Sequence, residues 1–424
     1  MKKISLLLLF NCIFTLQIFA SFDDWFENRT LRFDYYHSGN STTEFYSFHA
    51  LKAEPFWAGS HTQMIDNTNL GNYFFKVFDA KTNELLYSRG YSTLFFEWSY
   101  TEEAKKTNRT FEESIVMPFP KNEIKVVLYS RDNKGNFVSK FEHLINPKNY
   151  FISSELKMKY PVEDIKISGN NDNKVDIVIL PEGYSADEMD KFRSDCMNFK
   201  QNFFSFEPYK SNEDKFNIRA VIAASKESGT DMPGDNIWIN TLLNSTFWTF
   251  DSERYLMTDA YFTVRDVAAN APYDQIYILI NTKKYGGGAI FNFYNTSING
   301  NASAAKVLIH EFGHGFAGLG DEYDDGSTSY NDIYPQNIEP WEPNITSLAN
   351  FDSKWKNLLP KSTLVPTPID KSQPLKLGVY EGAGYVTKGL YRPTPECIMR
   401  SFKINDFCPV CSKHINRMIE LYTK

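Results

Sequence analysis

Ala304, Ala305, Val307, Leu308, Ile309, Phe312, Phe316 and Leu319 recur at the spacing of a buried helix, and His310, Glu311 and His314 interrupt them. Histidines four residues apart project from one helix face one turn apart, so His310 and His314 can offer imidazole nitrogens to one tetrahedral Zn²⁺. Glu311 follows the first histidine directly. Its carboxylate can then reach the attacking water instead of the metal, which is where a general base must stand. The competing reading is an inert core helix that carries two histidines.

A catalytic zinc needs a third protein ligand and an open fourth position. In the metzincin pattern a glycine stands three residues after the second histidine and the last ligand six after it, positions held here by Ala317 and Gly320. One residue further on stand Gly318 and Asp321, so a single inserted residue restores both roles. Gly318 and Gly320 can adopt the positive φ that ends a helix and turns the chain back. Asp321 is therefore the expected third ligand. Two other readings exist: a solvated carboxylate in the acidic run Asp321, Glu322, Asp324, Asp325, or part of a structural Ca²⁺ site. A gluzincin-type ligand would be Glu339 or Glu342, in a Pro-rich stretch unsuited to a second ligand-bearing helix.

His310-Glu311-Phe312-Gly313-His314 followed by Gly318-Leu319-Gly320-Asp321-Glu322-Tyr323 resembles the signature of the immunoglobulin A peptidase family of bacterial zinc metallopeptidases. Val178 to Tyr184, Glu227 to Asp231, Tyr285 to Gly288, Tyr391 to Pro393 and Cys397 to Arg400 add to the resemblance, which covers about residues 160 to 424. It implies a metzincin-like fold with His310, His314 and Asp321 as zinc ligands and Glu311 as catalytic acid and base. It does not imply that immunoglobulin A is the substrate. The resemblance also gives Met399 a role, in a tight turn that floors the ligand histidines. Some metzincins carry an oxyanion-stabilising Tyr two residues after that methionine; here the position is Ser401, and Tyr323, Tyr385 and Tyr391 are the nearest alternatives in sequence.

Gln275 to Asn281 reads as a buried strand, and Gly286-Gly287-Gly288 follows it. A glycine-rich edge near the cleft would let a protein or glycoprotein substrate bind as an extended peptide, although a plain turn explains the glycines equally well.

Residues 1–20 read as a signal peptide: Lys2 and Lys3, an apolar core from Ile4 to Phe19, then Ala20 before a polar start. The expectation is a secreted or periplasmic protein with no integral membrane segment after cleavage. Removing the two lysines takes the formal charge from −7 to −9, which leaves no electrostatic footprint for nucleic acid. Cys196, Cys397, Cys408 and Cys411 remain. Export favours a disulfide within the last three; Cys408-Pro409-Val410-Cys411 could also be a redox pair or half a zinc knuckle, with no second pair to complete it.

The fold class expected is α+β. Residues 21–155 should form an antiparallel β-sandwich accessory domain, from alternating segments Tyr73 to Phe78, Leu94 to Trp98, Glu123 to Tyr129 and Phe137 to Phe141. It shows no catalytic constellation, and its His37, His49, His61 and His143 stand unpaired in sequence. Residues 162–424 should form a mixed αβ zinc peptidase domain, with strands at Val175 to Leu180 and Ile218 to Ala224 and a helix from Ser185 to Phe203. The function expected is zinc-dependent hydrolysis of peptide bonds in extracellular proteins, with a cell-wall amidase or a non-catalytic zinc-containing adhesin as alternatives.

Overall fold

The computed structural model describes residues 21–326, 330 and 332–424, so the signal peptide read from residues 1–20 lies outside the described residues. The N-terminal region is β-rich. After a one-turn helix α1 (Phe22–Trp25) come β1 (Phe26–Gly39), β2 (Glu44–Glu54), β3 (Tyr73–Asp79), β4 (Leu85–Tyr91), helix α2 (Leu94–Ser99), β5 (Arg109–Pro120), β6 (Ile124–Arg131) and β7 (Phe137–Ile145). They form two antiparallel sheets, ordered β2-β1-β5 and β4-β3-β6-β7. Leu31, Phe33, Ile115 and Met117 of the first meet Phe75, Val77, Val126 and Leu128 of the second in one core. These core residues alternate along their strands, as the pleat requires, and on β1 the neighbouring Arg32 and Asp34 are buried as well.

The second region comprises β8 (Val162–Lys166), β9 (Val175–Glu182), α3 (Met189–Phe203), β10 (Phe216–Val221), α4 (Tyr261–Ala268), β11 (Gln275–Ile280), β12 (Gly287–Ile290), β13 (Tyr294–Ile298), α5 (Ala304–Ala317), β14 (Tyr380–Ala383), β15 (Val386–Arg392) and α6 (Pro409–Thr423). Six strands make one sheet in the order β12-β13-β11-β9-β10-β8; β14 and β15 pair separately. The four central strands run parallel, and β12 and β8 pair antiparallel at the two edges. A parallel sheet buried on both faces needs near-continuous apolar strands, and β9 is one. Ile177 and Ile179 face α3, α5 and α6, while Val178 and Leu180 face α4.

Two expectations change. Leu94 to Trp98, read as a strand, is α2, because a short apolar run carries no decisive period and neighbouring packing selects the conformation. Its Leu94, Phe95 and Trp98, with Phe111 of β5, join the core on the α4 face of the second region's sheet. The two regions therefore share a hydrophobic core. Buried Arg32 of β1 lies 2.8 Å from Asp34, 3.2 Å from Glu54 and 2.5 Å from Asp266 of α4, adding an ion-pair network across the same junction. His37 is paired after all: its ring nitrogens lie 3.0 Å from Glu113 and 3.2 Å from Glu44. Burial lowers its pKa, but these two carboxylates outweigh burial and raise it.

Candidate active site

Helix α5 carries the site because glycine lets it approach its neighbours closely. A Cβ on Gly315 would lie 1.9 Å from Asn295 Oδ1 of β13, and one on Gly313 would lie 2.8 Å from the Met399 sulfur. Interior glycine costs a helix about 1 kcal/mol relative to alanine, so close packing offsets a local weakness. The helix ends at Gly318, whose φ of 61° is the left-handed conformation expected there. Gly318 N–H donates to His314 C=O at 2.9 Å and Leu319 N–H to Gly313 C=O at 3.1 Å. Gly320 has a different reason. Its φ is not positive, and a Cβ there would lie 2.9 Å from Ile345 Cδ1.

This turn brings Asp321 back to the helix. His310 Nε2 and His314 Nε2 are 3.1 Å apart, and each lies 3.2 Å from Asp321 Oδ1. The edges of this nearly equilateral triangle compare with about 3.3 Å between neighbouring ligands on a tetrahedron with ~2.0 Å metal bonds. Asp321 Oδ1 has no hydrogen-bond donor. The opposite nitrogens are fixed: His310 Nδ1 meets Ile398 C=O at 3.1 Å, and His314 Nδ1 meets Leu319 C=O at 2.6 Å. Such contacts put the proton on Nδ1 and leave both Nε2 atoms free as donors to a metal. Tyr385 O–H donates to Asp321 Oδ2 at 2.8 Å.

The electrostatics favour positive charge at the same point. Burial lowers both imidazoles, but Asp321 outweighs it, raising His310 and bringing His314 to about 9. Burial raises Asp321, yet His314 and His310 hold its carboxyl far below the usual range. Three donors that stabilise charge between them, all from ligand-type residues, fit a bound metal cation.

Burial raises the Glu311 carboxyl above its ordinary value, opposed by the two histidines. Glu311 faces β12, where a Cβ on Gly287 would lie 2.9 Å from its Oε1. His310, Glu311, His314 and Asp321 open into a cleft of about 360 Å³ that Gly286, Gly287 and Gly288 also line. The glycine-rich segment is thus an edge strand at the site. Its first residue is already engaged: Gly287 N–H donates to Arg254 C=O and Gly287 C=O accepts from Leu256 N–H, both at 3.2 Å. By the alternation of an antiparallel ladder, Ala289 is the next residue whose backbone faces outward.

Met399 is fully buried beneath α5 in a turn closed by Arg400 N–H and Ser401 N–H, which donate to Cys397 C=O at 2.8 and 3.0 Å. Tyr323 and Tyr385 line the cleft, whereas the Tyr391 backbone pairs with Thr346 away from it. Ser401 also lines the cleft but donates to Glu396. Glu342 is hydrogen-bonded by Tyr334 at 3.0 Å, and Glu339 accepts from Asn350 N–H at 2.7 Å. Neither joins the ligand group. The acidic run divides, with Asp324 3.3 Å from Arg400 and Glu322 turned into the core.

Glu97 of α2 was not legible as a site residue. It reaches the cleft from the N-terminal region, accepting from Tyr255 and, at 2.6 Å, from Tyr330. Burial raises its carboxyl to about 7. No motif surrounds it in sequence, and only the tertiary fold brings α2 to the cleft that His310, His314 and Asp321 line. A larger groove, about 1540 Å³, lies beside this cleft and shares Tyr334 and Trp341 with it, but is lined by neither His310 nor His314.

The family model for IgA Peptidase M64 matches residues 163–376 and 369–419, and that for the Peptidase M64 N-terminus matches residues 21–142. Comparison with curated proteins returns no match. With both parts of the chain matched, and His310, His314 and Asp321 placed beside Glu311 where they could hold a metal ion, the chain belongs to the IgA peptidase M64 family of metallopeptidases.

Proposed function

We propose that the protein is an exported zinc-dependent endopeptidase of metzincin-like design, in which His310, His314 and Asp321 hold the metal and Glu311 is the catalytic acid and base. The observation that carries this reading is the 3.1–3.2 Å ligand triangle, which opens beside Glu311 onto a glycine-lined cleft. Met399 under α5 supports the metzincin comparison. Bound zinc would polarise the scissile carbonyl and lower the pKa of water. Glu311 takes the proton from the attacking water and returns it to the leaving amine, and its raised pKa suits the second role. Tyr385 orients Asp321 through its hydrogen bond. An extended peptide would lie along β12 and pair with the outward backbone of Ala289. An inert adhesin would have no use for a buried carboxylate at Glu311.

The substrates are extracellular proteins or glycoproteins, with immunoglobulin A as one candidate. Residues 1–20 direct export to the periplasm or beyond, residues 21–155 form the accessory domain, and residues 162–424 form the catalytic domain. Metal-stripped protein, reloaded with zinc or ferrous iron, should be tested on a protein panel that includes immunoglobulin A and on cell-wall peptides. Two histidines and a carboxylate also suit iron, so the comparison is informative. Cleavage of proteins restored by zinc is the expected result. Undiminished cleavage by the stripped protein, or cleavage of cell-wall peptides alone, would reject the reading.

A further inference from the structure

Cys397, Cys408 and Cys411, the expected place of a disulfide, are free thiols. Cys397 Sγ and Cys411 Sγ are 3.9 Å apart, against about 2.05 Å for a disulfide bond. Cys408 is at hand as well: its N–H donates to Cys397 Sγ at 3.3 Å, and Cys411 N–H donates to Cys408 Sγ at 3.4 Å. The fourth member comes from the acidic run. Glu322 Oε1 lies 3.3 Å from Cys411 Sγ, and its Oε2 is buried without a hydrogen-bond partner. All four side chains are buried, and their ligand atoms lie within 4.8 Å of one another.

Three thiols and a carboxylate around one point are the donors of a closed tetrahedral metal site. Sulfur atoms bound to zinc at ~2.3 Å stand about 3.8 Å apart on a tetrahedron, close to the spacing here. Cys408 caps the N-terminus of α6 and Cys411 lies in its first turn, so backbone N–H groups and the helix dipole both favour thiolates. Asn344 donates to Glu322 at 2.9 Å and fixes its direction. We propose that Glu322, Cys397, Cys408 and Cys411 bind a second metal ion, zinc by donor chemistry, with a structural role distinct from the cleft site.

The ion would join α6 to two segments that position the side chains of the cleft site. Glu322 adjoins Asp321, and its N–H donates to Met399 C=O at 2.9 Å. Cys397 precedes Ile398, whose C=O orients His310. The site therefore pins the methionine turn and the third ligand to α6.

Cobalt substitution of the full chain separates the two sites, because only a thiolate ligand gives an intense near-ultraviolet sulfur-to-cobalt charge-transfer band. The wild type loaded with Co²⁺ should show this band. The double variant His310→Ala/His314→Ala should keep it, whereas Cys408→Ser and Cys411→Ser should each weaken it by about a third or more, since one of three thiolates is removed. Zinc content should be one ion per group, hence two per wild-type chain, and should fall by half in the double variant. Folded wild type that binds cobalt without the band would overturn the proposal. So would an intact mass lower by two hydrogens, which would mean a disulfide among these cysteines. Neither result depends on a variant folding, and neither touches the reading of the cleft.

Discussion

Asp321 and Glu322 are neighbours in sequence and serve opposite surroundings. Asp321 joins His310 and His314, whose side chains are 13% and 17% exposed at the floor of the cleft. Glu322 joins three cysteines that are 0% exposed. One group has an open side and the Glu311 carboxylate beside it; the other is enclosed by sulfur and by α6. Metal sites that work keep a free position, and sites that hold structure do not. On the proposed reading, two carboxylates adjacent in the chain would serve both kinds of site back to back, with the buried group bracing the exposed one.

Changes confined to the open side should alter turnover and leave the sulfur group untouched. Among changes that leave the ligands and the base in place, the largest effect is expected for Gly287→Ala. The added Cβ would sit 2.9 Å from both Glu311 Oε1 and Val307 Cγ1; the end of the Glu311 side chain yields easily, whereas buried Val307 yields less. Stability should fall modestly through the Val307 contact, while misplacement of the base by about 1 Å should cost about 10²-fold in kcat. Denaturation curves and kinetics on the same preparation would check this; unchanged kcat would remove Glu311 from β12's influence.

Tyr385→Phe deletes the hydrogen bond to Asp321 Oδ2. Loss of such a contact behind a metal ligand typically costs 10- to 100-fold in metal affinity or activity, and about tenfold is expected for this partly independent carboxylate. Competition with a chelator would measure it. An equal loss at the sulfur group, read from the cobalt band, would show that the two sites are not separable.

The smallest effect concerns Glu97, the N-terminal region's carboxylate in the cleft. Burial lifts its pKa from 4.5 to about 7, so the folded chain keeps a proton that the unfolded chain releases. The unfolded state then binds fewer protons between these values, and this group's contribution to stability falls as pH rises from about 4.5 to about 7. Glu97→Gln should flatten that fall, seen as a smaller shift in urea midpoint between pH 5 and pH 7. An unchanged slope would assign the pH dependence elsewhere.

What the sequence reveals follows the range of each interaction. His310, Glu311 and His314 were legible because helical spacing is local, and Asp321 because a helix end and one turn separate it from them. β9 and β11 were legible because strands buried on both faces are apolar throughout. Leu94 to Trp98 was misread because five apolar residues do not distinguish a strand from a helix, and packing against the α4 face decided it. Glu322 looked like one more solvated acid until the fold buried it, and without it Cys408 and Cys411 remained half a site. Glu97 reaches the ligands from a separate sheet-rich region, so no pattern within its own segment could announce it.

The most direct test of the central claim measures metal content and protein cleavage together in wild type and Glu311→Gln. The account predicts equal metal in both and a rate lower by about 10²–10⁴-fold in the variant, the usual contribution of a positioned acid and base. Wild-type turnover by Glu311→Gln at full metal content would contradict it.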